Sequence, residues 1–318
     1  MLGFTLVILG SLCLAAQNVL IRIVFVESPV LGLFSWGGFL ESNPANSLLI
    51  LQMRALLILP VMLLISPHLH SATWSELHGL VKKPYRPLLG RTLASSLFLF
   101  LALALLFVAL AQIPAGIATV LFFIHPAITV LLSWKLFGDR PTALRIGVVI
   151  TVLLGSLLVA PNFTTGEGHN VILGVGAALG AGVAYSLQGI LAQTCFGEIH
   201  PVPFTLATFV VMLVLSSLTL LVIPIEVAPD VWTILWIASF VAAVLTLIGQ
   251  LFYNFGIHLA SAALVSIIAI SNPTFTALLG WWVIREALQG RQILGVLMVI
   301  LGVMALSQEK RSARPQPK

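Results

Sequence analysis

The sequence predicts an all-α membrane protein: ten transmembrane helices forming two inverted five-helix repeats around a central cavity. Three observations carry this. The 318 residues are 59% hydrophobic and only 8% charged, whereas a soluble domain carries about 25% charge. Apolar runs bounded by proline, glycine or charge recur ten times, each 17 residues or longer. About 20 residues cross a hydrocarbon core of roughly 30 Å, and in lipid a helix satisfies its own backbone hydrogen bonds. The second half of the chain also repeats the first, as set out below.

The predicted helices span 3–26, 46–66, 90–112, 115–136, 142–160, 171–196, 203–225, 231–257, 261–283 and 290–306. The first has no Lys or Arg ahead of it, and its run from Gly3 to Ile21 exceeds a signal-peptide core, so it reads as a span and not a leader. The segment Glu27–Asn46, with "LGLFSWGGFLE" inside it, is expected as an apolar spacer lying at the outer surface. The second helix holds Arg54, about 12 Å deep by helix rise. A central arginine costs about 2.5–3.5 kcal/mol and needs a partner or water. The fourth and ninth helices each carry a polar residue followed by proline near mid-span, "FFIHPAITV" and "ISNPTFTAL". His125 and Asn272 lie about 15–16 Å deep, and Pro126 and Pro273 each remove a backbone hydrogen bond and kink the helix.

Eleven Lys and Arg residues fall in segments that are cytoplasmic if the N-terminus is inside, against Arg285 and Arg291 outside. The positive-inside bias therefore places both termini in the cytoplasm. The net charge of +5 belongs to this bias and implies no nucleic acid. Cys13 and Cys195 sit in apolar runs and are expected as buried free thiols, and no metal-type spacing is present. Trp74, Trp232, Trp236, Trp281 and Trp282 fit interfacial belts.

The repeat is visible on alignment. Leu2–Phe25 lies over Leu173–Phe196, with Gly3 on Gly174 and Gln17 on Gln188. "IHPAITVLLSWKLFGD" lies over "SNPTFTALLGWWVIRE", with Pro126 on Pro273, Thr129 on Thr276, Trp134 on Trp281 and Asp139 on Glu286. Five helices per copy is odd, so the second copy enters the membrane from the opposite side. In such folds the site lies near the midplane, at interrupted helices. The expected solute-binding residues are therefore His125, Thr129, Asn272, Thr276, Gln17, Gln188, Tyr185, Gln250 and Asn254.

Thr246, Gln250, Asn254 and His258 make a polar stripe at four-residue spacing. The matching positions Leu99, Leu103, Phe107 and Ala111 are apolar. One polar and one apolar cavity wall are thus expected, suited to an amphipathic or aromatic solute. Glycines of the sixth helix, Gly174, Gly176, Gly180 and Gly182, are expected to let a neighbour approach closely. The pairs Gly147–Gly155 and Gly295–Gly302 are expected to do the same in the fifth and tenth helices.

"IPAGIATVLFFIHPAITVLLSWKLFGDRPTALRIGVVITVLLGSLL" and "LASAALVSIIAISNPTFTALLGWWVIREALQGRQILGVLMVILGVM" both resemble the closing part of an EamA-type repeat of the drug/metabolite transporter superfamily. The pattern is a small-residue helix, a central proline, an acidic helix end and a glycine-bearing helix. The resemblance implies repeats over 1–160 and 171–306 around a central cavity, and export or exchange of small metabolites. Two departures stand out: Asp139 replaces glutamate in the first copy, and Arg285 precedes Glu286 in the second. Arg54, Asp139, Glu286, Pro126 and Pro273 are assigned gating or structural roles. Residues 307–318 are expected as a disordered basic tail.

The function expected is secondary transport in the cell membrane by alternating access. No phosphate-binding G-x-x-x-x-G-K-[ST] loop is present, so a proton or solute gradient is the expected drive, with His125 as the coupling group. A passive channel or non-transporting sensor is the alternative. An intramembrane enzyme is less well supported, because neither H-E-x-x-H nor G-x-S-x-G occurs. No catalytic residue, metal or cofactor is expected. The expected partners are a small-molecule solute, the bilayer and protons, and the chain is expected as a monomer or weak homodimer.

Overall fold

The computed structural model describes residues 2–41, 43–113, 115–159, 171–223, 225, 227–285 and 289–312. Among the described residues the architecture is helical apart from one hairpin. In chain order come α1 (Leu2–Phe25), β1 (Ser28–Val30), β2 (Phe34–Trp36), α2 (Pro44–Leu69) and a short α3 (Thr73–Leu80). Then follow α4 (Arg86–Gln112), α5 (Ala115–Phe122), α6 (His125–Phe137) and α7 (Ala143–Val159). The second half holds α8 (Val171–Cys195), α9 (Pro201–Leu220), α10 (Trp232–Leu259), α11 (Ala262–Ala269), α12 (Ser271–Val283) and α13 (Gly290–Ser312). Among the described residues, seven helical stretches are long and apolar enough to cross a membrane, and two shorter apolar ones lie at 143–155 and 290–305. Side chains such as Ile150, Phe240 and Leu297 point outward uncovered, as expected where lipid is the solvent.

Helix ends follow local chemistry. Asn43 caps α2 by accepting from the Asn46 amide at 2.8 Å, with Pro44 in the first turn. Ser261 caps α11. Gly138, in the left-handed region at φ 71°, ends α6.

The two proline-bearing spans are each broken in two. Pro126 sits in the first turn of α6, and α5 stops at Phe122. The proline has no N–H for the Phe122 carbonyl four residues back. The Phe122 carbonyl instead lies against α8 at Gly182, where an added Cβ would stand 2.8 Å from it. Pro273 sits in the first turn of α12 behind a break at Ile270. The Ile124 and Ile270 amides reach back three residues, each at 3.3 Å, as in a tightened last turn.

α1 packs along α10, α4 along α8, α2 along α9 and α7 along α13; α6 meets α11. Small residues set the closest approaches. Gly10 and Gly249 bring α1 onto α10, Gly174 brings α8 onto α4, and Gly155 and Gly302 bring α7 onto α13. Gly147 and Gly176 have open space instead, so the close-packing expectation does not hold for those two. Helical periodicity turns them away from the interface.

The segment expected as a surface spacer folds into the β1–β2 hairpin. Leu31 and Gly32, both at positive φ, form its turn, and the Leu31 amide donates to the Val283 carbonyl at the end of α12. The strand-forming residues around a Leu-Gly turn favour pairing over lying flat. Gly37, at φ 123°, packs against the Ile23 carbonyl, where no Cβ fits. Gly37→Ala is expected to detach the hairpin from α1. Faster proteolysis of the 27–41 segment, without loss of the helical far-UV signal, is the check.

One further difference concerns the end of the second half. α13 continues to Ser312, through the first residues of the tail expected as disordered, because Gln308–Arg311 are good helix formers. Glu286 lies outside the described residues.

Candidate functional site

A cavity of about 30 Å³ lies among α6, α8, α10 and α11, lined by the second half of the chain apart from Thr129, and is large enough for roughly two waters at 10–15 Å³ each. Thr129 of α6, Tyr185 and Gln188 of α8, Gln250, Tyr253 and Asn254 of α10, and Ser266 of α11 supply its polar wall. Ile257, Ala262, Val265 and Ala269 supply the apolar part. Five of the nine residues singled out from the sequence therefore meet here: Thr129, Tyr185, Gln188, Gln250 and Asn254.

Asn254 is fully buried. Its Nδ2 donates to Thr205 Oγ1 of α9 at 2.8 Å, and its Oδ1 has no partner. A buried amide oxygen left unmet costs about 1–3 kcal/mol, so a donor supplied from the cavity is favoured there. Gln188 lies seven residues before the end of α8, about 10 Å by helix rise. Tyr185, also in the wall, lies ten residues before the same end. The α10–α11 connection closes the cavity there, held by Gln193 Oε1 accepting from the Ala262 amide at 2.6 Å.

The other four residues are placed differently. His125 is buried behind the wall, its ring among Phe122, Phe123 and Tyr185, with centroids 4.8 Å from Tyr185. Its Nδ1 has no partner, and its carbonyl accepts from Thr129 and Ser186. Asn272 donates to the Ser11 carbonyl at 3.2 Å and accepts from Asn18 Nδ2 at 3.1 Å, so it ties α12 to α1. Thr276 donates to the Asn272 carbonyl and accepts from Asn18. Gln17 is buried on α1, away from the lining. Asn272 connects to the cavity indirectly, because Ser11, whose carbonyl it meets, shares a hydrogen bond of 2.8 Å with the lining Tyr253 hydroxyl, and His125 reaches the wall through the Tyr185 ring.

The polar stripe of α10 divides its work. Thr246 accepts from Arg54 Nη1 at 3.4 Å, Gln250 and Asn254 face the cavity, and His258 leaves it to meet the Phe196 carbonyl. The matching apolar set is not the opposite cavity wall. Leu99, Leu103 and Phe107 pack instead with Leu51 and Ala55 of α2, because the cavity forms beside α11, where α4 does not reach. Tyr253 and Ser266 were not singled out from the sequence. Tyr253 falls on the same face as Gln250 and Ile257 when three-residue steps are counted beside four-residue ones. Asp139 pairs with Arg145 at 3.1 Å at the end of α6, outside the cavity.

A second polar cluster lies where α2 ends and α9 begins. The His70 and His200 rings stack 4.0 Å apart. Glu76 of α3 accepts from His70 at 2.6 Å and from the His200 amide at 2.9 Å. His200 Nδ1 accepts from the Val202 amide and so caps α9, and His258 stands 6.4 Å from it. Among the described residues no set of three side chains is arranged to hold a metal.

Burial first, then repulsion from His70 and His258, lowers the His200 pKa from its ordinary value, against the pull of Glu76. Protonation also removes the lone pair that caps α9. The unfolded chain takes up a proton near the ordinary histidine value of about 6.5 that the folded chain resists. This contribution is therefore intact above that pH and is lost as the pH falls. Melting of the purified protein is expected to drop between about pH 7.5 and 5.5, with a shallower slope in His200→Gln.

Residues 172–308 match the model of the EamA-like transporter family. An uncharacterized transporter of Synechocystis sp. is 36% identical over 98% of this chain and 95% of its own length. The pseudopaline exporter CntI of Pseudomonas aeruginosa is 26% identical over 64% of this chain and 70% of the exporter. A crystal structure 17% identical in sequence shares the fold, with a TM-score of 0.68 over 99% of this chain and 98% of that one.

Proposed function

The chain belongs to the EamA-like transporter family, and from that premise we propose that it moves a small solute across the membrane by alternating access, as an exporter or exchanger. In this reading the chain makes ten crossings as two inverted halves, 1–160 and 171–306, with both termini cytoplasmic. The broken pairs α5–α6 and α11–α12 each count as one crossing.

The observation that carries the reading is the cavity itself. It is lined by the second half together with Thr129 of the first, beside a broken helix from each, and has an unmet polar group in its wall. The packing supports the inverted halves. Under the sequence alignment α1 corresponds to α8 and α4 to α10, so the pair α1–α10 exchanges with α8–α4. The pairs α2–α9 and α7–α13 exchange with themselves. A two-fold relation between the halves requires those pairings.

About 30 Å³ is far below the roughly 300 Å³ of a small-molecule pocket. Solute entry therefore requires the halves to part. The His70–Glu76–His200 cluster closes the cytoplasmic end in this reading, and the Asn18–Asn272–Thr276 contacts tie α1 to α12.

Thr129, Tyr185, Gln188, Gln250 and Asn254 are the proposed contacts with the solute, and His125, Asn272, Thr276 and Gln17 support the wall from behind. A proton or solute gradient drives the cycle. The buried aromatic setting of His125 moves the proposed proton-sensitive position to the His200 cluster.

Counterflow in liposomes tests transport. Preloaded unlabelled solute is expected to accelerate uptake of the same labelled solute; a channel shows no such acceleration. Cysteine accessibility tests the inversion. The tips 138–142 and 285–289 are expected on opposite faces of the membrane, and labelling from one face would remove the inverted halves.

A further inference from the structure

We propose that the transported solute is an organic anion and that Arg54 binds its negative group. This deepens the transporter reading and rests on it. Arg54 lies in α2 with only 9% of its surface exposed. Its Nη1 makes one long bond to Thr246 Oγ1, at 3.4 Å, and its Nε is buried without an acceptor. Among the described residues no carboxylate pairs with it.

The sequence closes the remaining route. All ten Asp and Glu residues of the chain lie at or beyond the ends of the apolar spans, and the ones nearest to Arg54 in sequence are Glu41 and Glu76. A guanidinium stays charged, and a buried charge without a partner is costly. The counter-charge that would relieve this cost is not supplied by the spans themselves.

Position links Arg54 to the cavity. Thr246 stands one turn of α10 from Gln250, a lining residue. Leu51 and Ala55, on the same face of α2 as Arg54, pack in one cluster with Tyr185 of the wall. Arg54 is not itself a lining residue; through Thr246 it stands one turn of α10 beyond the Gln250 wall, where the cavity would extend as the halves part in the proposed cycle. The cavity wall, part polar and part apolar, holds no ionised side chain, so nothing in it repels an anion. The planar fork of donors fits carboxylate and phosphate alike.

The test uses the purified full-length chain. Its melting is followed with a panel of small carboxylates beside their amides, and a panel of phosphate esters beside the free alcohols. The wild type is expected to be stabilised by an anion and not by its neutral counterpart, and the responding panel identifies the group. Arg54→Gln is expected to weaken that response by about 10–100-fold, the worth of a charge-assisted hydrogen bond, and Arg54→Lys is expected to keep part of it. Without solute, Arg54→Gln is expected to melt no lower than the wild type, because an unpaired buried charge has been removed. A lower melting point would mark a packing arginine and overturn the proposal.

A wild type stabilised only by neutral solutes, or by no anion at all, overturns it as well. Counterflow separates the two failures. Exchange of a neutral solute that survives Arg54→Gln removes the anion site and leaves transport standing. Exchange of no solute of any charge removes the transport reading with it.

Discussion

Asn254→Leu is expected to cut solute exchange by about 10–100-fold while leaving the fold in place. The size follows from an unmet buried acceptor worth about 1–3 kcal/mol, at about 1.4 kcal/mol per tenfold. Asn254 Oδ1 is an acceptor without a donor in the cavity wall, so a solute N–H or O–H gains there what leucine cannot offer. The small structural effect also follows from the contacts. Thr205 already spends its hydroxyl hydrogen on the Pro201 carbonyl at 2.7 Å. Losing Asn254 Nδ2 therefore empties only a lone pair of Thr205, not a donor. Counterflow rate and melting temperature, measured together on the same preparation, check this. A fall in melting that matches the fall in exchange would reassign Asn254 to packing.

Gly182→Val is expected to destabilise the protein by about 1–3 kcal/mol through overpacking. At this position α8 approaches the carbonyl of Phe122, which Pro126 has left without its helical donor. A Cβ would sit 2.8 Å from that oxygen and 3.1 Å from Ile124 Cγ2. Backbone on the far side of the contact cannot swing aside as a side-chain tip would. Gly176→Val, on the same helix but with nothing within 4 Å, is the control and is expected to stay within about 0.5 kcal/mol. Thermal melting in one detergent compares the two, and equal melting points would show that α8 does not depend on this contact.

Both predictions turn on features whose first half is written in the sequence. The His-Pro and Asn-Pro pairs mark broken helices because proline removes a donor wherever it stands. The structure places the breaks within three residues of those prolines. The stripe on α10 was legible because four-residue spacing keeps residues on one helix face. Which neighbour each member meets was not legible: Thr246 meets α2, Asn254 meets α9, and His258 meets the end of α8. Likewise His125 and Asn272 align when the two halves of the sequence are laid over each other, yet one is enclosed by rings and the other bonds across to α1. Alignment relates positions along the chain, whereas packing partners depend on the helix opposite. The His70–Glu76–His200 cluster drew no notice in the sequence, because its members come from segments 124 residues apart.

Taken by itself, the order of residues determined the helical membrane class, the apolar runs, the proline interruptions and the resemblance of the two halves. Those properties depend on composition and on spacing within a few turns, which act before any two helices meet. The tertiary structure alone decided which polar side chains share a cavity, which serve as ties behind it, and that, among the described residues, no carboxylate stands beside the buried Arg54. In lipid the hydrophobic effect does not choose between helix faces. Close backbone approach and hydrogen bonds between distant segments make that choice, and neither can be read from one helix at a time.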